Sequence, residues 1–259
     1  MRILVKLGGT LLDTDESRGR LAREIAAVRS SEVEVVVVHG GGKQMTRFLT
    51  DRGVESRFVN GLRVTTPEVI DAVLKVLAGS VNHQLVASLV QAGANPVGLS
   101  GIDSALTEAE QLSPDLGAVG KPVRTNPQLL RLLTGNAYIP VVACVAGDRQ
   151  GNIYNVNADQ MAVACAAGFE ADRLVFLTDV DGVRGAEGRI LPTLTPQDCE
   201  QLISTGVATG GMQAKLNAAT DALHAGIQQV VIAPGAEPGA LERILSGEAL
   251  GTRLVKHDA

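Results

Sequence analysis

Hydrophobic and polar positions along this chain alternate between two periods. Short apolar, β-branched runs at 3–7, 34–39, 96–99, 139–145, 174–178 and 230–233 predict buried strands. Between them, apolar positions recur every three or four residues across 17–30, 43–52, 67–92, 158–167, 196–204 and 212–225, which predicts helices. Strand–helix alternation of this kind predicts an α/β layered fold with a mainly parallel sheet. The longest helical pattern carries Ile70, Val73, Leu74, Leu77, Val81, Leu85 and Leu89 on one stripe.

Boundary signals sharpen several of these elements. Thr66-Pro67-Glu68 supplies a capping hydroxyl, a proline at the first helical position and an acid in the first turn. Asn126-Pro127 and Thr195-Pro196 repeat that start, and Gly168 and Gly226 stand where C-terminal caps are expected. Asn60-Gly61 joins two β-prone runs within 57–64, a strong signal for a two-residue hairpin turn. A softer hairpin spans 148–156. Neither fits inside an uninterrupted parallel sheet, so both are expected to project from its edge as flaps.

Composition then narrows the function. The chain has 259 residues, enough for one large or two small domains, and a formal net charge of −5. No apolar run reaches the ~18 residues a membrane span needs. The first strand begins at once, with no signal-peptide pattern. A soluble, cytoplasmic protein with no membrane partner is expected. There is no basic run and only six Phe and Tyr with no Trp, so nucleic acid is disfavoured as a partner. Cys144, Cys165 and Cys199 are odd in number and widely spaced, giving neither a disulfide framework nor zinc spacing. The 29 glycines cluster at Gly8-Gly9, Gly40-Gly41-Gly42 and Gly210-Gly211, at strand–helix junctions where backbone N–H groups line anion sites.

Those clusters come with cations. Lys6 ends the first strand just before Gly8 and Gly9, so a point charge stands beside exposed backbone donors. The Gly40-Gly41-Gly42 run opens a helix without the spacing of a P-loop or a dinucleotide fingerprint. Gly210 and Gly211 predict a helix start that places Lys215 in its first turn, where a cation opposes the dipole unless an anion is bound. Arg63 follows the hairpin turn and can clamp a carboxylate. Asn155-Val156-Asn157-Ala158-Asp159 runs from a flap into a helix; capping explains Asn157 and Asp159 but not Asn155. Asp179-Val180-Asp181-Gly182-Val183 follows another strand, at an end where nucleotides commonly bind. No dedicated metal cage is expected. Glycine anion sites, two lysines and an arginine, without a nucleophile–base pair, point to phosphoryl transfer.

In this order and spacing the motifs resemble the amino-acid kinase family over essentially the whole chain, and within it the branch acting on N-acetyl-L-glutamate. The matches include Lys6-Leu7-Gly8-Gly9, His39-Gly40-Gly41-Gly42, Asn60-Gly61-Leu62-Arg63-Val64-Thr65, Asn155 to Gln160 and Gly210-Gly211-Met212 to Lys215. The resemblance implies an αβα sandwich with an acylamino-acid and dimerisation lobe at 1–171 and an ATP lobe at 172–259. It implies phosphorylation of the N-acetyl-L-glutamate γ-carboxylate by ATP, with Mg2+ carried by the nucleotide. Lys6 and Lys215 are similar to the family's phosphate-neutralising lysines, and Asp159 to the acid holding them. Gly41, Gly42, Arg63 and Asn155 resemble its substrate contacts, and Gly8 and Gly9 its phosphoryl cradle. Asp179 to Val183 and Val207, Ala208 and Thr209 resemble its nucleotide side; Asn82 and Asn157 are further carry-overs. The 100–104 loop departs from the family pattern. A kinase of carrier-linked aminoadipate or glutamate, and a non-catalytic regulator, are the alternatives. Only five residues precede Lys6, so an arginine-insensitive homodimer is expected, with Ile70, Val73, Leu77 and Val81 supplying the interface.

Overall fold

In the computed structural model, which describes residues 1–30 and 32–256, the six predicted strands all lie in one eight-stranded sheet. Its order is Thr193–Leu194, Thr252–Leu254, Gln229–Pro234, Arg173–Thr178, Arg2–Leu7, Glu34–His39, Ile139–Ala143 and Pro96–Ser100. All pairings are parallel except that of Gln229–Pro234 with Thr252–Leu254. The central strands are buried on both faces, which explains their unbroken apolar runs: Ile3, Leu4, Val5, Val36, Val37, Val38, Leu174 and Val175 are all 1% exposed or less. Helices pack on both faces, as the strand–helix alternation predicts.

Register decides where chemistry can occur. Leu7 lies opposite both His39 and Leu177, and His39 opposite Ala143. The strands therefore end level. The loops that follow them, at 8–9, 40–42, 144 and 178–179, meet along one carboxyl edge of the sheet, where open α/β sheets place their ligands.

Capping follows the sequence signals. Thr66 accepts from Val69 N, and Thr195 and Asp198 form a reciprocal capping box that starts Pro196–Ser204. Asn126 Oδ1 accepts from Gln128 N at the start of Gln128–Gly135. Gly226, at φ 106°, follows the helix Gly210–His224 as expected. Gly168 does not cap. The helix Ala158–Phe169 runs past it and ends at Glu170, at φ 54°. A Cβ on Gly168 would meet Thr125 Cγ2 at 2.6 Å, so packing rather than termination requires glycine there.

Of three further expectations, one holds and two are revised. The hairpin at 57–64 forms, with Asn60 and Gly61 at φ 49° and 79°, and it pairs only with itself. The softer hairpin is not a flap. Its strands Val145–Gly147 and Ile153–Val156 join Thr107–Gln111 and Val119–Thr125 in a closed four-stranded barrel, two of whose strands carried no clear period-2 signal. The predicted run at 139–145 accordingly divides between sheet and barrel at Cys144.

The stripe on the long helix is buried at Val73, Leu77, Val81, Leu85 and Leu89, while Ile70 and Leu74 are only partly buried. Pro67–Gln91 contains a π-helical stretch, Leu74–Val81. Val73, Leu77 and Val81 are 0–4% exposed and face the chain's own core, so they offer no surface to a second copy; of the four expected interface residues only Ile70 remains partly exposed. Leu74 also turns partly outward. This helix is long and apolar enough, by length and composition, to cross a membrane, but Val69, Ala72, Val76, Leu85 and Leu89 are buried within the fold.

Candidate active site

Lys6 is a cation on the most central strand, 6% exposed. An unpaired ammonium there would carry a large desolvation cost. Its partner is Asp159, 153 positions along the chain in sequence, whose Oδ1 lies 2.7 Å from Lys6 Nζ. Lys215 Nζ approaches the other carboxylate oxygen at 3.3 Å. Asp159 sits in the first turn of Ala158–Phe169, where the helix dipole favours an anion, behind the Asn157 side chain that accepts from Asp159 N and Gln160 N. Burial alone would raise the Asp159 carboxyl, but the charges of Lys6 and then Lys215 hold it below its ordinary value. Lys215 occupies the sixth position of Gly210–His224, so it lies in the second turn rather than the expected first.

Two clefts meet at this trio and a third lies beside them. The first, about 170 Å³, is walled by Gly40, Gly41, Gly42, Arg63, Asn155 and Cys144, among others, and so unites the four expected substrate contacts. Arg63 is 9% exposed, and among the described residues no carboxylate pairs with it. Its guanidinium donates to Gly42 O at 3.1 Å, to Thr46 Oγ1 at 2.8 Å and to Ser56 Oγ, and stacks 4.6 Å from the Phe58 ring centroid. Burial pulls its pKa down from the ordinary value. A charge held in place by neutral partners, facing a pocket, is prepared for an anion. Asn155 Nδ2 donates to Thr65 Oγ1 at 3.1 Å, and Thr65 in turn donates to Arg63 O.

The second cleft, about 680 Å³, is lined by Lys6, Gly8, Gly9, Thr10, Lys43, Arg63, Asp179 and Lys215. The two glycine loops touch across it: a Cβ on Gly9 would lie 3.1 Å from Gly42 N and 3.2 Å from Gly41 Cα. A Cβ on Gly41 would meet Leu77 Cδ2 at 2.5 Å. The third cleft, about 780 Å³, lies between the hairpin tip at 60–62 and the start of Gly210–His224, with Asp159 and Lys215 at its floor.

The remaining expected residues stand apart. Val180, Asp181, Gly182 and Val183 line none of the three clefts; Asp181 pairs with Arg184, and the buried Val183 donates its N–H to Thr252 Oγ1. Val207, Ala208 and Thr209 precede Gly210–His224 without lining them either, and Ala208 is buried. Asn82 belongs to the core: its amide donates to Val141 O and to His39 Nε2, while His39 Nδ1 donates to Gly40 O. Burial lowers His39 to about 4, so the ring is neutral and holds the strand end rather than reacting. In the 100–104 loop, Asp103 ties back to Ser100 N and Oγ. Ser56, Phe58, Thr46 and Thr65 were not legible as site residues. Thr46 carries the only local cue, one turn beyond Gly42 on its helix.

Residues 1–234 match the family profile described as the amino acid kinase family. An acetylglutamate kinase of Solibacter usitatus is 69% identical over 255 residues, covering 98% of this chain and 99% of that protein. One of Ruegeria pomeroyi is 40% identical, covering 99% and 89%. A solved protein of Streptococcus mutans superposes with a TM-score of 0.86 at 27% identity, covering 99% of both chains.

Proposed function

Because this chain belongs to the amino acid kinase family, we propose that it transfers the γ-phosphoryl group of ATP to the side-chain carboxylate of N-acetyl-L-glutamate, a step of arginine biosynthesis. The observation that carries this reading is the Lys6–Asp159–Lys215 trio where two of the clefts meet. The full-length likeness to acetylglutamate kinases supports the choice of acceptor.

The chemistry suits these residues. A glutamate side chain titrates near ~4.3, so the attacking carboxylate is already ionised at neutral pH and needs no general base. The obstacle is repulsion between that anion and the triphosphate. Arg63 and Asn155, with the backbone at Gly41 and Gly42, hold the acylamino acid in the first cleft. Gly8 and Gly9 present backbone donors to the transferring group in the second. As a carboxylate oxygen bonds to the γ-phosphorus, the bond to the β-phosphate oxygen breaks and ADP leaves. Lys6 and Lys215 neutralise the charge on that path, and Asp159 keeps both ammoniums aimed at it. Mg2+ enters as part of the MgATP substrate, and none of these roles is assigned to it.

Asp179 to Val183 and Val207 to Thr209 form the outer, nucleotide-base side, and the 1–171 and 172–259 lobes divide the two substrates. The last three residues of that second lobe lie outside those described. The enzyme works in the cytoplasm as a homodimer. Ile70, Leu74 and Val86, partly exposed, and Val90, 58% exposed, give the long helix an outward apolar face that supports such an interface.

The test is ATP consumption with N-acetylglutamate, glutamate, aspartate and α-aminoadipate derivatives, trapping the acyl phosphate as its hydroxamate. Hydroxamate formed only with N-acetylglutamate is expected. Turnover with a carrier-linked aminoadipate, and none with N-acetylglutamate, would overturn the assignment.

A further inference from the structure

The two glycine loops follow neighbouring strands, and the last backbone bond between them, Gly40 N donating to Leu7 O at 3.4 Å, leaves the gap from Gly8-Gly9 to Gly41-Gly42 beyond it. One side chain crosses it. Gln44, in the helix Gly42–Thr50 that opens from the Gly40-Gly41-Gly42 loop, donates from Nε2 to Gly9 O at 3.1 Å. Its other amide atom, Oε1, is buried without a hydrogen-bond partner, about 3.6 Å from where a Gly41 Cβ would stand. A buried carbonyl left unsatisfied is a stability cost. An apolar side chain of equal length would avoid that cost and give up only the link to Gly9 O.

We infer that Gln44 is a positioning residue for the reaction: its amide ties the Gly8-Gly9 phosphoryl cradle to the Gly41-Gly42 acceptor loop and so sets the distance between carboxylate and phosphorus. The inference rests on the phosphoryl-transfer reading above. Each substrate is held mainly by its own loop, and Gln44 touches neither the Lys6–Asp159–Lys215 trio nor Arg63 in any recorded hydrogen bond or ion pair. What Gln44 controls is the relation between the loops, and reaction rates depend steeply on sub-ångström placement of reacting atoms.

The signature is a separation of rate from binding and from stability. Gln44→Met keeps the length and helix propensity but removes the donor. It is expected to lower kcat at least tenfold, to leave KM for ATP and for N-acetylglutamate within threefold of wild type, and to leave Tm unchanged or raised. Gln44→Glu at pH 8 keeps the shape but faces Gly9 O with a carboxylate, and is expected to lose kcat to at least the same extent. Asp13, Arg18, Arg47 and Asp51 line the crevice on the far side of Gln44. The comparison of one uncharged and one anionic variant beside that crevice therefore isolates the lost donor. A Gln44→Met enzyme with more than a third of wild-type kcat, or one whose two KM values and Tm all deteriorate with kcat, would overturn the inference. A wild-type chain that forms no acyl phosphate from N-acetylglutamate would overturn the functional reading and the inference with it.

Discussion

Replacing Asp159 by Asn removes one charge and almost no volume, and leaves a buried and a partly buried ammonium without their shared anion. At an effective dielectric of about 20, unit charges at the observed 2.7 and 3.3 Å attract by about 6 and 5 kcal/mol. Desolvation of a carboxylate that is 6% exposed offsets much of this. Breaking a buried pair by deleting one partner costs roughly 3–5 kcal/mol net. At roughly 2–4 °C per kcal/mol for a chain of this size, Asp159→Asn should melt roughly 6–20 °C below wild type. Loss of lysine alignment should lower kcat at least ~100-fold. Differential scanning calorimetry with and without MgADP is the assay. The freed lysines should make the nucleotide raise Tm more in the variant than in wild type. The pH dependence has a definite sign. The folded carboxyl titrates below its unfolded value, so its contribution is present above about pH 3.9 and is lost as pH falls toward the folded value. Wild type and variant should therefore converge in strong acid. A variant that melts within 2 °C of wild type (an allowance of roughly one half of a kcal/mol) and keeps more than a tenth of its kcat would refute the reasoning.

Lys215→Ala should lower kcat at least ~100-fold with much smaller changes in KM, and retention of more than a tenth of wild-type kcat would remove Lys215 from the phosphoryl path. Arg63→Lys keeps the charge but loses the planar fork held by Gly42 O and Thr46 Oγ1, so KM for N-acetylglutamate should rise while KM for ATP stays near wild type; equal damage to both would place Arg63 elsewhere. His39, neutral in the fold and titrating at about 4, should make stability fall as pH drops from ~6.5 toward 4, by roughly 3 kcal/mol in all. Tm of His39→Gln measured across that range should lack this slope, and an unchanged slope would show that another group is responsible.

The sequence by itself determined the architecture of the central sheet and the chemistry available at its edge. Doubly buried parallel strands cannot alternate polar and apolar residues, so they stand out as solid runs, and helix starts such as Thr195-Pro196 with Asp198 are local capping events. Lys6, Lys215 and Arg63 were legible for the same local reason, since glycine pairs and an Asn-Gly turn flank them or lie nearby. Tertiary structure decided what was relational. Asp159 could be named from motif order, but that one carboxylate serves both lysines depends on a helix crossing the first strand's end. The barrel escaped because its strands Thr107–Gln111 and Val119–Thr125 are stabilised by closure on one another and have no clear period of their own. The long helix shows the limit most plainly. Its composition and most of its buried stripe were clear, but that this stripe faces the chain's own core rather than a second copy, with Ile70 and Leu74 partly outward, was set by packing against the sheet. The tie from Gln44 to Gly9 spans two loops 35 residues apart, and no local pattern encodes a contact whose partner is a backbone carbonyl.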